Sequence, residues 1–166
     1  MGRLGNDIDR DGVTMNAAFL GPFTVALPAA MVDADVARNT NLLALIGVDD
    51  EGEARVYTTR PSKASAGYVV LDIPFGGRPP AYVHGSDGDA VGNWSKFQIT
   101  GWSPVKYTAT QIMDAAIQAI DGRDIVVSES WGTVRLMQVL APQSITDMIS
   151  EQLMYGVFAR YEVLFC

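Results

Sequence analysis

The chain has 166 residues, 48% of them hydrophobic and 19% charged. That is enough apolar side chain for one core of ordinary domain size, and it excludes disorder over the whole length. Nineteen acidic residues against twelve scattered basic ones give a net charge of −7, which excludes a surface built to grip nucleic acid, because phosphate binding needs clustered Lys and Arg.

The first stretch, "MGRLGNDIDRDGVTMNAAFLGPF", has acidic residues where a secretion signal would be basic, and its apolar part is short and interrupted. No apolar run approaches the roughly 18–20 residues that cross a bilayer. A protein kept in a cytoplasm, or in something assembled there, is expected, with no membrane partner. Residues 1–26 are expected to form an extended arm of weak intrinsic structure, ordered only against a neighbour.

The run 27–46, "LPAAMVDADVARNTNLLALI", has helical spacing. Pro28 suits a first turn, and Ala30, Met31, Ala34 and Ala37 share one stripe. "RNTN" breaks or re-caps the helix, a second short helix carries Leu42, Leu43, Leu45 and Ile46, and Gly47 stops it. Two β-like runs follow at about 55–60 and 67–74. The glycine- and proline-rich segment at about 75–93 is expected to be a long loop. A strand at 94–103 leads to a helix whose "TATQ" start, Thr108 to Gln111, fits a capping box. Ile112, Met113, Ala116, Ile117 and Ile120 form its apolar face, and Gly122 ends it.

Strands are then expected at 124–128, 133–141 and 151–165. The last alternates Leu153, Tyr155, Val157, Ala159, Tyr161, Val163 and Phe165 against Met154, Phe158, Arg160 and Glu162. Both of its faces carry apolar groups, so it is either central in its own sheet or covered by a second subunit. Strands outnumber helices. The pattern is α+β, a mostly antiparallel β-sheet packed against α-helices, with residues 27–166 forming a single domain.

Candidate chemistry is sparse. His84, the one histidine, lies in the glycine-rich loop beside Ser86, Asp87 and Asp89. Nothing local holds it within reach of a proton to be moved, so a solvated loop histidine is the expectation. Asp87 and Asp89 lack the third ligand and the glutamate about twelve positions on that a calcium loop needs, and position 98 is Gln98. "FGGRPP" has no strand-then-helix context and no following lysine and serine, and "SESWG" is no nucleophile elbow. Trp94, Trp102 and Trp131 lack a basic groove and are expected in the core or at sheet edges. Cys166, the single cysteine, rules out an intrachain disulfide and a cysteine zinc set. No catalytic, cofactor-binding or metal-ligating residue is assigned, and an enzyme is not expected.

The order of "NLLALIG", "VYTTRPSKASAGYVVLDIP", "NWSKFQITGWSP", "ATQIMDAAIQAIDG" and a closing "YGVFARYEVLF" resembles the tail-terminator, or tail-completion, proteins of long-tailed bacteriophages over residues 36–166. The arm at 1–26 departs from that family's pattern, in which the first helix starts almost at once. The resemblance implies a virion structural protein of the tail or neck, assembled in the host cytoplasm. Six copies would ring the end of the tail tube, stop its growth and join it to the head connector or stopper proteins. DNA would pass through the channel without specific binding, and no cofactor is implied. A head-side adaptor or stopper, a tail-tube relative, and a small ligand-binding α+β domain with the loop as its lid are the alternatives.

Overall fold

The fold is that of a computed structural model, which describes residues 13–63, 66–73 and 96–165. The expected loop at 75–93, with His84, Ser86, Asp87 and Asp89, lies outside the described residues. So do residues 1–12 of the expected arm, Trp94 and Cys166.

Helix α1 spans Val13–Val32 and contains Pro22 and Pro28. This corrects two expectations: residues 13–26 are helical, not extended, and Pro28 sits deep inside a helix, not in its first turn. An interior proline costs about 3 kcal/mol. Tertiary burial answers it. Phe23, Leu27 and Met31 recur every four residues and are fully buried, at about 1.5–3 kcal/mol each. The helix ends where Asn39 reaches back. The Asn39 side-chain amide donates to the carbonyls of Ala30 (2.7 Å) and Asp33 (2.9 Å), and Arg123 also donates to Ala30 (2.8 Å). These bonds satisfy carbonyls that a helix end leaves open. Ala34 and Ala37 are therefore not part of one continuous stripe. A 3-10 turn, Ala37–Asn39, and helix α2, Thr40–Ile46, follow. Gly47 stops α2 at a positive φ of 62°.

Strand β1 is only Val56–Tyr57, β2 is Tyr68–Asp72 and β3 is Lys96–Ser103. Helix α3, Lys106–Ile120, starts two residues before the expected capping box, and its N-cap, Val105, makes no side-chain cap bond. Instead the Ser103 hydroxyl accepts the Val105 N–H at 3.1 Å, just outside the helix. Arg38 donates to the carbonyls of Gln118 and Asp121 and so closes the far end of α3, where a cation also suits the helix dipole. The chain ends with β4 (Asp124–Ser128), β5 (Gly132–Ile149) and β6 (Gln152–Phe165).

The six strands form one curled sheet in the order β1-β2-β3-β6-β5-β4. Every pairing is antiparallel except β1 with β2, which is parallel. Among the described residues the architecture is α+β, with a mixed, mostly antiparallel sheet and three α-helices. Strand β6 is central, which settles how its two apolar faces are covered. Val157, Ala159, Tyr161 and Val163 face the helices, where Ile112, Met113, Ala116 and Ile120 of α3 meet them. A Cβ on Gly101 would lie 3.1 Å from the Met113 nitrogen and 3.3 Å from the Ala109 carbonyl. Glycine there is what lets α3 lie directly on β3. The opposite face carries a second, smaller core of Tyr68, Val70, Trp102, Ile149 and Met154.

Candidate functional site

The features that stand out among the described residues are edges and grooves. Strand β5 runs eight residues beyond the expected end at Ala141. Its pairing with β6 shifts twice, between Gln138 and Gln143, and Pro142 falls inside the second shift. From Gln143 to Ile149 the register with β6 is then unbroken, Gln143 opposite Phe158 through Ile149 opposite Gln152. Strand β4 pairs only with the start of β5, up to Arg135, and the Gly122–Arg123 backbone pairs with Leu136. Among the described residues nothing pairs with the outer side of residues 143–149.

The hairpin turn is Ser150–Glu151, with φ of 50° and 65°. Both residues sit in the left-handed region that the favoured two-residue hairpin turn demands. The tip is tied to the far end of the sheet. Arg60 lies with its guanidinium carbon 4.5 Å from the centre of the Trp102 ring and bonds Asp147 at 2.8 Å, and the Ser150 hydroxyl donates to the Ser62 carbonyl. The Arg60 hydrogen bond, with a second one from the Met148 N–H, holds the Asp147 carboxyl below the usual range. Beneath this latch Trp102 and Ile145 close over Gly156, where an added Cβ would lie 2.8–2.9 Å from their side chains. The same chemistry recurs at the other end of the hairpin, where Arg135 grips both oxygens of Asp124 (2.7 and 3.0 Å) and lowers its pKa.

Among the described residues two grooves adjoin β1. One, of about 540 Å³, lies between the turn at Asp49–Glu51 and the hairpin tip and mixes Arg55 and Lys63 with those acids. The other, of about 370 Å³, lies between α1 and the segment that begins with β1. Thr24, Val25 and Pro28 form its helix wall and residues 56–59 its strand wall. Val25 is 72% exposed.

Of the residues singled out from sequence, Trp102 is buried under Arg60, and Trp131 packs at the rim of the main core. Among the described residues no group of three or more His, Cys, Asp or Glu could hold a metal ion, and no helix is long and apolar enough to cross a membrane. The residues that sequence reasoning missed are Arg60, Asp147 and the second half of β5. A period-two alternation with Ile145 and Ile149 on one face was the available signal.

No protein-family model matches the chain, and no curated protein matches it. Among solved structures it is similar to a chain in the virion of a native gene transfer agent particle. That likeness has 20% identity and a TM-score of 0.54, and covers 89% of this chain and 97% of the other. At that identity the shared property is the fold.

Proposed function

We propose that this chain is a virion structural protein whose copies form a ring, six to the ring, at the end of a phage-type tail tube. The ring would end tube polymerisation, join the tail to the head connector or stopper proteins and leave a channel for DNA. The observation that carries this reading is a fold held in common with a subunit of a virion particle over almost the full length of both chains. The helix over Val13–Val32, where an extended arm was expected, adds support, since it brings the chain nearer to the tail-terminator layout. The acidic balance fits a conduit along which DNA slides without sticking. No catalytic step and no cofactor belong to this function. The working parts are edges and surfaces.

The test is to add the purified protein to tail-tube subunits during polymerisation and to image the tubes by electron microscopy. Shortened tubes capped at one end by a ring, and a light-scattering mass of six times the 17.9 kDa of one chain, are expected. Tubes of unchanged length with bare ends would overturn the reading. A ring found only on the head side of the neck would replace it with an adaptor or stopper role.

A further inference from the structure

We propose that copies of this chain join by strand addition: residues 143–149 of one copy extend the sheet of the next, antiparallel to its β1, in the groove between β1 and α1. The inference rests on the ring reading and names the contact that closes the ring.

The first support is direction. Strand β1 is parallel to β2, and each later step across the sheet (β2 to β3, β3 to β6, β6 to β5) is antiparallel. Strand β5 therefore runs opposite to β1. A neighbour brought up by rotation about an axis along the strands keeps those directions. Its β5 then meets β1 antiparallel, the stronger of the two pairings. Strand β1 is the first of the sheet order and β5 the last but one, with β4 covering only its start, so among the described residues the two unpaired sides are different patches facing away from each other along the order, as a head-to-tail contact requires.

The second support is chemistry. Natural edges are defended by charges, prolines and bulges. In β5 the bulges and Pro142 fall before residue 143, so the seven residues beyond are a regular edge. Their one charge, Asp147, is already neutralised by Arg60. Among the described residues the groove on the other side carries no charged residue on either wall. Its pairing of a strand edge with a helix face is the arrangement into which an extended segment adds as a new strand. Val25 stands exposed on the helix wall, and Met148 and Leu153 are exposed at the hairpin tip. Seating one against the other would remove apolar surface from water on both copies.

The test uses two variants in a Cys166→Ser background, Thr58→Cys in the groove and Ser144→Cys on the edge, with tags of different size and a short bismaleimide. A mixed dimer that forms only when the two are combined is expected, and a ladder up to the closed ring when one chain carries both. Self-linking of Ser144→Cys alone would mean two-fold pairing of β5 with itself and would overturn the proposal. So would the absence of a mixed product. Val25→Lys, at an exposed position that leaves the core alone, should weaken association at least tenfold by light scattering, and unchanged association counts against the groove. A ring that forms without the mixed cross-link defeats this contact and leaves the ring reading standing. Failure to form any ring or cap defeats both.

Discussion

Tyr161 is fully buried, stacked on Phe97 with centroids 5.6 Å apart and planes 18° apart, and its hydroxyl has no partner among the described residues. Burial pushes its phenol well above the usual range, so the group stays neutral at any working pH. An unsatisfied buried hydroxyl costs about 1–3 kcal/mol. Tyr161→Phe should therefore raise thermal stability, by about 1 kcal/mol after the small lost volume is counted. A lower melting temperature would show that the oxygen is hydrogen-bonded after all. Asp147 makes the complementary case on the surface. Its folded pKa is depressed, so its contribution is complete above the unfolded value of about 3.9 and is lost as pH falls through the folded value. A carboxyl titration by NMR should place its midpoint below the usual range, and Arg60→Gln should move it upward. A midpoint that ignores Arg60→Gln would remove the latch as its cause. The same substitution uncovers Trp102, and its fluorescence should shift to the red.

At the scale of elements, the β5–β6 hairpin uses neither glycine nor asparagine in a turn that holds two residues at positive φ. Ser150 has a second task in bonding Ser62. Glu151 has none in view, so Glu151→Gly should relieve left-handed strain worth about 1 kcal/mol. The shift would appear as a higher denaturant midpoint with unchanged slope. No shift would mean that the turn is not strained. This turn also explains what the sequence concealed. Asn-Gly or Asp-Gly announces a hairpin, and Ser-Glu does not. Pro142 argues against a continuing strand, yet here it falls in the bulge between Leu140 and Gln143, where it has no paired residue on β6. Helix α1 was hidden for a related reason, since two prolines and a polar lead-in argue for coil, and it is burial of Phe23, Leu27 and Met31 that forms it. Elements whose own residues carry their period, α3 and strands β2, β3, β4 and β6, were legible to within two or three residues. The latch was not. Arg60 sits in a polar stretch, and only the curl of the sheet brings it over Trp102 and beside Asp147.

For the whole molecule the deciding quantity is charge. Each copy carries −7, so bringing copies together accumulates like charge, and that repulsion opposes assembly most strongly at low salt. The contact proposed to close the ring is a groove with no charge among its described residues against an edge whose one carboxylate is already paired. It has no interfacial ion pair for salt to weaken. Screening should then act mainly on the repulsion, because the Debye length falls from about 30 Å at 0.01 M to about 8 Å at 0.15 M and 3 Å at 1 M. Burial of the apolar tip residues is not screened at all. Self-association measured by analytical ultracentrifugation should accordingly strengthen as sodium chloride is raised from low to physiological concentration, and level off beyond it. An interface built from opposite charges would behave the other way. Association that weakens steadily with salt would mean that the contact engages Asp49, Asp50, Glu51, Arg55 or Lys63 around the mixed groove rather than the strand edge.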